Sequence, residues 1–134
     1  PMAFVGKFED LRIWQMAREL CQEVYLHTNT QPWKTDTRFV QQIRAAAGSI
    51  MDNIAEGFER DGNKEFIQFL YVAKGSCGEV RSQIIRASDV NFLNQTDAKK
   101  LYNDCLELGC AIAAFIKSLK KSAITGSKYL KPET

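Results

Sequence analysis

Residues 49 to 60, Ser49-Ile-Met-Asp-Asn-Ile-Ala-Glu-Gly-Phe-Glu-Arg60, carry the reading on which the fold turns. Ile50, Ile54 and Phe58 recur every four residues, as one face of a helix does. Ser49, Asn53, Glu56 and Arg60 are spaced by four, three and four, so they share a neighbouring face. Asn53 also continues a heptad row through Phe39, Ile43, Ala46 and Ile50. A polar side chain therefore falls on or beside a packing seam. Two readings compete. In one, Asn53, Glu56 and their neighbours form a satisfied polar network that fixes helix register, as a single seam Asn can. In the other they form a site.

The same four-three spacing continues outward from this stretch. Toward the N-terminus, Phe8, Leu11, Trp14, Ala17, Cys21, Val24 and Thr28 predict a first helix over 8–28. Pro32 in Asn29-Thr-Gln-Pro-Trp33 breaks it, because proline lacks an amide donor and restricts the residue before it. Thr35 or Asp36 can cap the second helix, which runs to about Gly57 or a little beyond. Phe66, Leu70, Ala73, Cys77, Val80, Ile84 and Ala87 predict a third helix from about Asn63 to Asn91. Gly75 and Gly78 lie inside it, and each costs about 1 kcal/mol relative to Ala. Close approach of the narrow Ala45 to Gly48 stretch is the expected reason. Asn94 or Thr96 can cap a fourth helix carrying Leu101, Cys105, Leu108, Ile112, Phe115 and Leu119. Four amphipathic helices with short connections predict an all-α, antiparallel up-down four-helix bundle over residues 8–122. Residues 1–7 are expected to be a disordered start, with Pro1 an addition left by cloning, and 123–134 a flexible basic tail.

A chain of 134 residues, 45% hydrophobic and 25% charged, is long enough for one core without staples. It has no apolar run of membrane-spanning length and no visible signal peptide, so a cytoplasmic protein without membrane contact is expected. The net charge of +2 is uneven. Residues 1–116 hold 13 Lys and Arg against 15 Asp and Glu, while residues 117–134 hold five Lys against Glu133. Such a basic end attracts phosphates or acidic proteins, or simply keeps the terminus solvated. Cys21, Cys77, Cys105 and Cys110 form no Cys-x-x-Cys pair and read as reduced thiols in helical segments.

The residues argue against catalysis. His27 is the only histidine, so neither a nucleophile–histidine pair nor a Glu-x-x-His di-iron site is available, and zinc spacing is absent. Glu56, Glu79 and Asp52 could together hold a magnesium ion for phosphodiester cleavage. Alternatively Glu56 and Glu79 pair with Arg44 and Arg60 and hold two helices together. The expectation is no enzyme, no metal and no cofactor. The structural polar network is then Arg44, Ser49, Asn53, Glu56, Arg60, Ser76 and Glu79.

Several stretches carry a family resemblance. They are Phe8-x-x-Leu11-x-x-Trp14, Gln42-Ile-Arg44, Asn53-Ile-Ala-Glu-Gly57 with Arg60, Glu65-Phe66, and Gly75-Ser76-x-x-Glu79. Together they resemble the four-helix-bundle family of 23S ribosomal RNA intervening-sequence proteins. The resemblance implies a protomer that assembles into a ring-like homopentamer. It also implies a fold similar to the accessory proteins of diversity-generating retroelements, which bind nucleic acid and a reverse transcriptase through basic surfaces.

The function expected is a homo-oligomeric helical scaffold with weak RNA or DNA association. Arg81, Arg86, Lys99, Lys100, Lys117, Lys120, Lys121, Lys128 and Lys131 are the candidate phosphate contacts. The alternative is a protein-interaction scaffold with no nucleic acid role. Phe4, Trp33, Phe58, Tyr71, Phe92 and Tyr102, off the seams, would then supply subunit or partner contacts.

Overall fold

The computed structural model describes residues 2–125 and 130–132, with side chains placed over 5–122. The fold is helical. A 3-10 turn at Phe8–Asp10 leads into α1 (Arg12–Thr28). A short α2 (Gln31–Lys34) follows, then α3 (Thr37–Phe58), α4 (Asn63–Asp89) and α5 (Gln95–Thr125). Two three-residue segments, β1 (Met2–Phe4) and β2 (Leu130–Pro132), pair antiparallel with Met2 opposite Pro132. They fall within the start and tail that the sequence alone sets outside the helical unit.

Local chemistry sets the helix ends. Asp36 Oδ1 accepts the Phe39 amide at 3.1 Å, and Asn94 Oδ1 accepts the Asp97 amide at 2.7 Å. Gly62, at φ 122°, supplies the left-handed residue that turns α3 into α4, and Asn91, at φ 64°, turns α4 toward α5. α1 breaks after Thr28 as expected, and the Pro32 segment itself forms a single separate helical turn. Proline in a first turn costs no hydrogen bond, since that amide has no helical partner.

The four long helices share one core. α4 packs between α3 and α5, and α1 packs on α3 and, less extensively, on α5. Ile43, Ile50, Ile54, Leu70, Val80, Ile84, Leu108, Ile112 and Leu119 are each 2% exposed or less. Burying a side chain of this size contributes about 1.5–3 kcal/mol. In α1 the buried row is Ile13, Ala17, Leu20, Val24 and Thr28, whereas Phe8, Trp14 and Cys21 are half-buried. Leu11, Ala17, Val24 and Thr28 are buried as expected, while Ile13 and Leu20 take the places expected of Trp14 and Cys21, because α1 must face both α3 and α5.

Two further expectations are corrected. Trp33 and Phe58 are buried in the core, and Phe92 packs against Trp33, so these rings are not free surface. Gly48, Gly75 and Gly78 do not meet in a tight crossing, since a Cβ on any of them would find nothing within 4 Å. All four cysteines are free thiols, Cys77 and Cys105 buried and Cys110 exposed.

Candidate functional site

The α3–α4 seam carries a compact polar cluster. Ser49 and Ser76 hydroxyls lie 2.9 Å apart and bridge the two helices. Asn53 Nδ2 donates back to the Ser49 carbonyl at 2.8 Å and to its hydroxyl at 3.0 Å. The amide thus orients the serine that reaches across. Asn53 is half-buried, so Asn53→Ala should cost about 1 kcal/mol in urea unfolding. Ser76→Ala should cost a similar amount, and the double variant less than the sum, because both act on one network.

The remaining residues of the expected network disperse. Glu56 pairs with Arg60 at 3.0 Å, one turn apart, both about half exposed. Such a pair contributes about 0.3–0.5 kcal/mol. The Arg60 guanidinium also lies 5.0 Å from the Phe69 ring centre. Arg44 turns to α1 instead of the acids. Its Nε donates to the Thr28 hydroxyl at 2.9 Å, and its guanidinium covers Tyr25 at 4.5 Å. Glu79 accepts from Gln83 Nε2 at 3.3 Å and from neither arginine. Glu56, Glu79 and Asp52 do not converge. Among the described residues, no three His, Cys, Asp or Glu side chains stand close enough to share a metal ion. His27 Nδ1 sits 4.0 Å from Asp97 Oδ2, linking the end of α1 to the start of α5.

The basic residues divide into two groups. Between α4 and α5, Lys74 and Arg81 line a groove of about 220 Å³. Tyr71, Lys74, Lys117 and Lys120 line a second groove of about 170 Å³. Lys74 borders both, so the two are adjacent. Four cations face this seam, and no carboxylate is among the residues that line it. Lys120 Nζ donates to the Tyr71 hydroxyl at 2.9 Å, and the Arg81 guanidinium lies 5.8 Å from the Tyr102 ring centre. The sequence reading omits Lys74. Its signal was the seven-residue spacing to Arg81, which puts both on one face of α4.

The other cations are placed differently. Arg86 lies 4.1 Å from the Phe39 ring centre, on the α3–α4 side. There it borders a groove of about 490 Å³ with Gln42, Ser49, Ser76 and Glu79. Lys100 is tied to Asp104 at 2.8 Å and to Glu23 at 3.3 Å. The Asp104 hydrogen bond, with smaller help from Glu23, raises the Lys100 pKa and commits its charge locally. Lys99 and Lys121 are exposed outside both basic grooves. Lys131 lies on β2 with its side chain outside the described residues, as is the whole of Lys128.

Comparison with known proteins gives a fold and a family. A solved structure of a protein of unknown function from the S23 ribosomal protein family of Bacteroides thetaiotaomicron superposes with a TM-score of 0.72. The two chains are 19% identical, and the match covers 78% of this chain and 98% of the other. No curated protein matches. The profile of the family described as 23S rRNA-intervening sequence protein matches residues 9–114, which include all of α1 to α4 and the first two-thirds of α5. The chain belongs to the 23S rRNA-intervening sequence protein family.

Proposed function

We propose that this protein is a cytoplasmic, non-enzymatic scaffold that assembles with copies of itself and binds RNA or DNA through the α4–α5 seam. The observation that carries the reading is the row Lys74, Arg81, Lys117 and Lys120, unopposed by any lining carboxylate. The body of the chain is nearly neutral overall, so a local excess of cations is what a phosphate backbone would meet. The protomer in this reading is an antiparallel up-down four-helix bundle, supported by the short connections between α3, α4 and α5. The assembly in this reading is a pentamer, and repeating a modest patch around a ring multiplies its charge.

The test is binding of a labelled RNA hairpin and of duplex DNA across a salt series, on protein freed of co-purified nucleic acid. Affinity should fall steeply with salt, by about 0.9 in logarithmic slope for each phosphate neutralised on duplex. Replacing Lys74, Arg81, Lys117 and Lys120 with Ala together should remove most of that slope, while Lys100→Ala should leave it nearly unchanged. Absence of binding at low salt would leave the scaffold with a protein partner only.

A second observation favours the protein-contact side of the reading. The outward stripe of α4 holds Tyr71, Val72 and Ile85, each about half exposed, beside the open positions Gly75 and Gly78. Two interior glycines that nothing in the protomer requires are explained by another helix lying close against them. Gly75→Ala should then stabilise the isolated protomer by about 0.5–1 kcal/mol and weaken assembly. Unfolding curves at low protein concentration together with sedimentation would show both effects. Assembly unchanged by the new methyl group would remove this stripe as the interface.

A further inference from the structure

Three of the four cysteines gather at the α4–α5 seam. Cys77, Cys105 and Cys110 all border the groove that holds Lys74 and Arg81. Cys77 and Cys105 are 2% and 1% exposed, and Cys110 is at the surface. The Cys77 thiol donates to the Cys105 carbonyl oxygen at 3.2 Å, across the two helices. Gly109, one turn after Cys105, faces the same thiol: a Cβ there would sit 3.9 Å from the Cys77 sulfur, in ordinary van der Waals contact. Two thiols used only as small core groups need neither a groove at their side nor two cations beside it.

We propose that Cys77 and Cys105 form an oxidisable dithiol, which a hydroperoxide entering by the groove converts to an intrachain disulfide that fastens α4 to α5. Cys77 loses its proton, and its sulfur attacks one oxygen of the peroxide. The O–O bond breaks, water or an alcohol leaves after taking up a proton, and Cys77 becomes a sulfenic acid. The Cys105 sulfur then attacks that sulfur. The S–S bond forms, the S–O bond breaks, and water leaves with the Cys105 proton. Two thiols are oxidised by two electrons and one peroxide is reduced.

Lys74 and Arg81 stand one turn before and one turn after Cys77 on α4, border the same groove and favour a thiolate there, so Cys77 reacts first. The Cys105 thiol, then the charges of Arg81 and Lys74, outweigh the cost of burial and hold the Cys77 pKa below its ordinary value. Cys105 is pushed up by its Cys77 contact and by burial, so it keeps its proton until the second step. The cations also disfavour a metal ion as the ligand of this pair.

The test uses the full chain, free of reductant and nucleic acid, so it is independent of whether RNA binds. The protein is exposed to hydrogen peroxide, remaining thiols are alkylated, and a non-reduced tryptic digest is analysed by mass spectrometry. The expected product joins the peptide of residues 75–81 to that of residues 101–117. Fragmentation should place the bond on Cys105 and not on Cys110. The product should persist in Cys110→Ala and vanish in Cys105→Ala. The oxidised wild type should melt at a higher temperature than the reduced protein, and dithiothreitol should reverse the shift. If Cys105→Ala does not fold, the bond position in the wild type still decides. The proposal is overturned if Cys77 stays fully open to alkylation under denaturing conditions after Cys110 has been oxidised. A bond from Cys77 only to Cys110, or only to another chain, overturns it equally.

Discussion

Trp33→Ala is expected to cost about 3–5 kcal/mol of unfolding free energy. Trp33 is 1% exposed although it sits in a helix of a single turn. Its ring centre lies 5.0 Å from that of Phe39 and 5.3 Å from that of Phe92, and those two rings are 6.2 Å apart. The three rings join α2, α3 and the α4–α5 connection at one end of the core. Arg86 closes the cluster from outside through its contact with Phe39. Removing the indole leaves a void between elements anchored elsewhere, so collapse can recover little. A domain of this size has about 5–15 kcal/mol in total, so this one change removes a large fraction of its stability.

Trp33→Phe separates packing from polarity. Trp33 Nε1 is buried with no hydrogen-bond acceptor among the described residues. Phenylalanine loses part of the ring contact but removes that unsatisfied donor, so the loss should stay below about 1.5 kcal/mol. Urea unfolding followed by helical circular dichroism measures both variants. Equal losses would mean that the indole N–H has a partner and that the cluster is held by it.

The long helices were legible because their heptads persist. α3, α4 and α5 begin and end within a few residues of the places that Asp36, Gly62, Asn63 and Asn94 mark. Trp33 was misread because Pro32 signals a break, and nothing local says that the next side chain swings into a core built by other helices. Ile13 and Leu20 of α1 were missed because periodicity gives an apolar face but not the number of neighbours that face must serve. The Ser49–Asn53 pair was legible as a one-turn spacing within a helix. Ser76 as its partner needed the register between α3 and α4. Arg44 shows the limit most plainly. Its long side chain can reach several neighbours, and the Thr28 hydroxyl that it meets lies 16 residues away on another helix. The α4–α5 basic seam was half legible for the same reason. Lys117 and Lys120 announce themselves in the basic end of the chain, but Lys74 sits in a near-neutral stretch and gains meaning only when α5 lies beside it.

Gly57→Ala is expected to cost about 3 kcal/mol, at the top of the overpacking range. α3 ends at Phe58, within the range the sequence gives, so Gly57 lies in its last turn and not beyond it. The residue is needed for space. A Cβ there would lie 2.6 Å from Phe69 Cβ, 2.9 Å from Phe66 Cδ1 and 3.3 Å from the Phe66 carbonyl oxygen. Phe69 Cβ is fixed to the α4 backbone and cannot swing aside, so α3 and α4 must separate. That separation would loosen the edge-on contact of Phe58 with Phe66, whose ring centres are 5.9 Å apart, and with it the lower α3–α4 seam. Gly48→Ala is the control in the same helix. Its Cβ would meet nothing, so the change should be neutral or gain up to about 1 kcal/mol. Parallel urea titrations distinguish the two, and a Gly57→Ala protein as stable as the wild type would refute the close approach. The expected contrast explains the Asn53-to-Gly57 stretch without a ligand. Asn53 positions the hydroxyl that bridges to α4, Ile54 fills the core, Glu56 ties to Arg60 on the surface, and Gly57 admits the first turn of α4. Asn53 and Gly57 answer directly to the pairing of α3 with α4. In the proposed reading, contact with a partner falls to the other seam, where α4 meets α5 with four cations and a pair of thiols.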